Sequence, residues 1–99
     1  MTIKLIDRGQ TGELFLEGRL DTTTAPDADT IFQQMSARFD NLVLDFGNLE
    51  YISSAGLRVI KILYMAMRKK AGKLALRGVN KMCMEVFEMT GFAGLLTFM

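Results

Sequence analysis

Residues 42–46, Leu42-Val43-Leu44-Asp45-Phe46, restrict the fold more than any other segment. A strand that is apolar at nearly every position is expected where both of its faces are covered, since alternation is lost when neither side meets water. Two stretches of helical periodicity flank it. Upstream, Ala28, Ile31, Phe32, Met35 and Phe39 recur at helical spacing and form one apolar face. Downstream, over residues 54–70, Val59, Ile60, Leu63 and Met67 fall on one side together with Gly56. Strands separated by single helices pair in parallel through crossovers, so the chain reads as α/β.

The remaining segments extend this order. Residues 3–7 and 13–18 alternate about a turn at residues 8–12, predicting an N-terminal β-hairpin. Thr24, Pro26 and Asp27 mark a helix start, with Thr24 as the expected cap. Residues 47–53 read as a loop, and Gly72 ends the second helix. Residues 73–77 form a further strand. Asn80 caps a third helix that runs to Met89 and stops at Gly91, and residues 95–98 form a last strand. The expected architecture is a single domain over residues 1–99, a mixed sheet with an N-terminal hairpin and then alternating helices and strands.

Several chemistries are excluded by what the chain lacks. With no His, neither the usual general base nor a Ser-His pair is available. One Cys, Cys83, without His makes no zinc site and no internal disulfide, and fits a reducing compartment, the cytosol. No Gly-rich phosphate loop is present. An enzyme is not expected, nor a cofactor or metal. The longest apolar run, residues 62–67, is far too short to span a bilayer, so no membrane insertion is expected. A net charge of +1 argues against nucleic acid. The one basic cluster, Arg68, Lys69, Lys70 and Lys73, is explained by the negative end of a helix dipole.

The second helix carries the candidate site. Opposite its apolar side lie Ser54, Arg58, Lys61 and Met65, which places Ser54 exposed at the helix N-terminus with Arg58 one turn away. One of Ser53 and Ser54 is expected to cap the helix, leaving the other free. A phosphate there would meet free backbone N–H groups, the positive helix end and Arg58. If the strands ending at Gly18 and Phe46 are parallel neighbours, the loop at residues 19–24, with Asp21, Thr22 and Thr23, comes close to Ser53 and Ser54. The threonines read equally well as turn and cap residues. Asp45 reads as a loop organiser.

The run from Leu42 to Leu57, ending Tyr51-Ile52-Ser53-Ser54-Ala55-Gly56-Leu57, resembles the signature of STAS domains and, within them, the bacterial anti-sigma-factor antagonists. Gly18-Arg19-Leu20-Asp21 and Val86-Phe87-Glu88-Met89-Thr90-Gly91-Phe92 resemble two further family segments, in family order. The resemblance implies a phosphorylation switch. An anti-sigma serine kinase would bind the unphosphorylated protein, releasing a sigma factor, and would phosphorylate Ser54; a PP2C-type phosphatase would reset it. Asp21, Thr22, Thr23, Ser53, Ala55, Gly56, Arg58, Lys61 and Met65 would join Ser54 in the partner-binding surface. Ser53 stands where many members have Asp, and Ala55 replaces a common second hydroxyl residue. The fold is expected without the final helix that members usually carry after the last strand, leaving one sheet face thinly covered. The alternative reading is an unphosphorylated STAS subunit of a membrane lipid-transport complex.

Overall fold

The computed structural model describes residues 1–99. Its elements are β1 (Thr2–Arg8), β2 (Thr11–Leu20), α1 (Ala25–Arg38), β3 (Asn41–Ile52), α2 (Ser54–Lys69), β4 (Lys73–Arg77), α3 (Lys81–Met89), a single 3-10 turn (Phe92–Gly94) and β5 (Thr97–Phe98). The five strands lie in sheet order β1-β2-β3-β4-β5. β1 and β2 pair antiparallel around Gly9-Gln10, where Gly9 takes a positive φ of 83°. Every later pair is parallel. This is the mixed α/β sheet that the alternation of strand and helix patterns predicts.

All three helices gather on one face. Leu14 and Leu16 of β2, Leu42, Leu44 and Phe46 of β3 and Leu74 and Leu76 of β4 point into a continuous core with Phe32, Ile60, Leu63 and Phe87. Phe46, Phe92 and Phe98 each pack a ring against Phe87, so α3 shares the face of α1 and α2. The expectation that β3 is covered on both faces is therefore wrong. Val43 and Asp45 point to the side without helices, and both are half-buried by their neighbours in the sheet.

That open face is held by charge. Glu13 accepts from Arg8 Nε at 2.6 Å and from an Arg77 terminal nitrogen at 3.0 Å, while Arg77 Nε donates to Asp45 at 2.8 Å. The four charges cross four strands, β1 to β4, as a row with no net charge. The Arg8 and Arg77 guanidinium groups hold the Glu13 carboxyl below its ordinary range. Burial pushes Asp45 up, but Arg77 and the Gly47 N–H outweigh it and hold it low. Asp45 does organise its locality, accepting from Gly47 N–H at 2.8 Å.

Three local expectations are corrected. Residues 47–52 are not a loop: β3 continues to Ile52 alongside Glu17–Leu20, with register shifts that absorb the irregular residues. Thr24 occupies the cap position of α1 but makes no capping bond; its hydroxyl donates to Arg19 C=O at 2.8 Å. The residue after α2 in the left-handed region is Ala71 (φ 60°), while Gly72 is needed for close approach, since a Cβ there would lie 2.5 Å from Asp40 C=O. Asn80 caps α3 as expected, accepting from Cys83 N–H at 2.8 Å, and also donates to Leu49 C=O at 3.0 Å.

Candidate functional site

The N-terminus of α2 abuts the end of β2 because the two strands that precede these segments are parallel neighbours. Leu20 pairs with Ile52, and Ser53 N–H donates to Leu20 C=O at 3.0 Å. The loop after β2 and the serine pair therefore share one edge of the sheet, as parallel pairing requires. Gly56 makes this junction possible. A Cβ on it would sit 2.5 Å from Leu20 C=O and 2.8 Å from Leu20 Cγ. Only a residue without a side chain lets the helix approach so closely.

The two serines divide their roles. Ser53 is the cap, its hydroxyl accepting from Gly56 N–H at 3.3 Å. Ser54 is the first helical residue, is exposed, and makes no side-chain hydrogen bond within the chain. Its hydroxyl is thus presented to solvent at the positive end of a 16-residue helix. No acidic residue lies in the first turn of α2.

Asp21 organises the neighbouring loop. Its carboxylate accepts from the Thr23 hydroxyl at 2.7 Å, Thr23 N–H at 3.0 Å and Thr24 N–H at 3.2 Å. The Thr23 hydroxyl, aided by those N–H groups, holds its carboxyl below the ordinary range against the upward push of burial. It is therefore an anion at neutral pH. Thr22 and Thr23 are exposed beside it.

Along α2, Arg58, Lys61 and Met65 are exposed as the helical period requires, and Met65 keeps 57% of its surface. Ala55 is half-buried. Gly56 is buried, so it contributes by seating the helix and not by contact.

Two further residues belong to this surface, neither foreseen from the sequence. Ile62, 41% exposed, joins the stripe between Arg58 and Met65; its position four residues after Arg58 was the available signal. Arg19 lays its guanidinium 4.3 Å from the centre of the Tyr51 ring, with Nε 3.7 Å from Asp21. No sequence signal announces that pair, because it follows from the pairing of Arg19 with Tyr51 across β2 and β3.

No group of three or more His, Cys, Asp or Glu side chains is arranged to hold a metal ion. No helix is long and apolar enough to cross a membrane. The site offers a free hydroxyl, an anchored carboxylate, cations and exposed apolar side chains. Those are the means of recognition between proteins.

Comparison with known proteins gives a consistent picture. The STAS domain family model matches residues 3–99. BtrV of Bordetella bronchiseptica, provisionally named an anti-sigma factor antagonist, is 38% identical over 72 residues, covering 69% of this chain and 62% of that protein, just under two thirds of its length. The anti-sigma-B factor antagonist of Listeria monocytogenes is 26% identical over 86 residues, 85% of this chain and 75% of that protein. Among solved structures, the unphosphorylated anti-sigma factor antagonist SpoIIAA superposes with a TM-score of 0.85 at 16% identity, covering 99% of this chain and 88% of that one. The phosphorylated form of this Bacillus protein gives 0.78 at 16% identity, covering 99% and 91%. At such identities the structural likeness speaks for the fold.

Proposed function

This chain belongs to the STAS domain family, and from that premise we propose that it is an anti-sigma-factor antagonist switched by phosphorylation of Ser54. Unphosphorylated, it binds an anti-sigma factor that is also a serine kinase, and so frees a sigma factor. Phosphorylated, it no longer binds, until a PP2C-type phosphatase restores the hydroxyl. The chain is a regulatory binding module of the cytoplasm, acts as one domain, catalyses nothing and contacts no nucleic acid itself. The names carried by BtrV and the Listeria relative support the antagonist role.

One observation carries the switch: Ser53 is occupied in capping while Ser54, beside it, stands exposed and unbonded. A phosphate on Ser54 adds about −1.5 to −2 charges at neutral pH. At a helix N-terminus that charge is favourable by roughly 0.3–1 kcal/mol, so the fold is undisturbed. The effect falls on the partner. A partner surface that complements Arg58 and Lys61 is acidic, and it would meet a dianion beside the Asp21 carboxylate in place of a neutral hydroxyl.

The test is phosphate mapping after incubation of the purified chain with ATP and a native lysate, with Ser53→Ala and Ser54→Ala in parallel. Phosphate is expected on Ser54 in the wild type and in Ser53→Ala, and on neither serine in Ser54→Ala. Ser54→Asp should fold normally and lose the kinase. Phosphate found on Ser53, or a Ser54→Asp chain that retains the kinase at wild-type affinity, refutes the switch.

A further inference from the structure

At the far end of α2 from Ser54, the outer edge of the sheet is incomplete. β5 contributes two residues, which pair only with Ala75 and Leu76 of β4. In a parallel ladder, alternate residues turn their backbone groups to opposite neighbours. Leu76 faces β5, its C=O accepting from Met99 N–H at 2.8 Å, and Lys73 faces β3, its N–H donating to Asp40 C=O at 3.1 Å. The same alternation turns Leu74 N–H and Gly72 C=O outward on the β5 side. Neither has a hydrogen-bond partner, because the chain before β5 is folded into the 3-10 turn and does not continue the strand.

These two groups open into a groove of about 530 Å³, walled by Tyr64 and Arg68 of α2 on one side and Leu95 on the other. Its cations, Arg68 and Lys73, form no ion pair, and no acidic side chain lines it. A groove that combines an unpaired strand edge, apolar walls and cations that no carboxylate pairs fits an extended acidic segment better than a compact ligand.

We infer that this groove docks a short extended segment of a partner protein, alternating apolar and acidic residues, which adds to the sheet beside Lys73 and Leu74. Run parallel to β4, one residue of the segment donates its N–H to Gly72 C=O and accepts from Leu74 N–H. Its apolar side chains lie on the helix side against Tyr64 and Leu95, and its carboxylates, on the opposite side, meet Lys73, with Arg68 adding positive charge at the α2 rim. Its α2 walls, Tyr64 and Arg68, lie 10 and 14 residues beyond Ser54, about 15–21 Å along the helix at 1.5 Å per residue. Docking here is therefore independent of the phosphorylation state, and it gives the chain a contact that persists when the kinase has let go.

The experiment is a titration of the isotopically labelled chain with a capped six-residue peptide alternating isoleucine and glutamate, followed by amide NMR shifts and hydrogen exchange. The expected result is saturable shifts at Leu74, Ala75 and Thr97, slowed exchange of the Leu74 amide, no shift at Ser54, and equal affinity for wild type and Ser54→Asp. Arg68→Glu combined with Lys73→Glu, both exposed positions, should weaken binding about tenfold or more, and a peptide with lysine in place of glutamate should not bind. The inference is overturned by shifts scattered over all basic surfaces, by unchanged Leu74 exchange at saturation, or by equal binding of the lysine peptide. Concentration-dependent shifts at the same residues without peptide would also overturn it, since the occupant would then be a second copy of the chain.

Discussion

Gly56→Ala tests the joint between fold and site at a single atom. The added Cβ would lie 2.5 Å from Leu20 C=O, whereas an ordinary carbon–oxygen contact is about 3.3–3.6 Å. The helix must therefore retreat from β2 by roughly 1 Å. The carbonyl cannot swing aside freely, because it already accepts from Ser53 N–H at 3.0 Å. Overpacking costs about 1–3 kcal/mol, and straining or losing that hydrogen bond adds about 1 kcal/mol. Alanine is the better helix former by about 1 kcal/mol, which offsets part of this. The expected net loss is about 1–3 kcal/mol, and a 2 kcal/mol loss would lower Tm by roughly 8–16 °C in a chain of this size. Urea unfolding measures it, with Gly94→Ala as the control, since a Cβ at Gly94 meets nothing within 4 Å. Partner binding should fall as well, although no contact residue has changed, because the serine pair moves relative to the Asp21 loop. A Gly56→Ala midpoint equal to or above wild type would refute the close approach and with it the assembly of the site around Gly56.

Two further outcomes are expected. Glu13, Asp21 and Asp45 all have carboxyl groups held below their ordinary range, so each contributes stability that is fully present above its unfolded pKa, near 4, and is lost as pH falls through the lower folded value. Urea midpoints should therefore decline below about pH 4–5, and Glu13→Gln with Asp45→Asn should flatten that decline; an unchanged slope would contradict the charge row on the open face. Asn80→Ala removes both the cap on Cys83 N–H and the donor to Leu49 C=O, and should cost about 1–2 kcal/mol in thermal unfolding, with an effect below 0.5 kcal/mol counting against the dual role.

What the chain's own order of residues determines is local. Helical spacing separates Gly56 from Ser54 and Arg58 without reference to any neighbour, so the buried and exposed sides of α2 are legible in the residues of that segment alone. Turn and cap chemistry likewise marks Gly9, Asn80 and Gly91. The parallel pairing of β2 and β3, and hence the meeting of the Asp21 loop with the serines, follows from the alternation of strands and helices.

Contacts set by the register between distant segments are not legible in this way. The apolar run at 42–46 looks fit for cover on both faces, but where the helices pack leaves Val43 and Asp45 on the open side, and Asp45 is satisfied there by Arg77, 32 residues away. Arg19 meets Tyr51 only through irregularities in the β2–β3 ladder. Which serine caps α2 depends on where β3 ends, since extension of the strand to Ile52 leaves Ser53 alone in position to cap. The unpaired edge at Leu74 arises because β5 is only two residues long, a length decided by the 3-10 turn before it and the packing of Phe92 and Leu96 beneath. Periodicity is a property of one segment, whereas register, sidedness and edge length are properties of several segments packed together, and only the tertiary structure decides them.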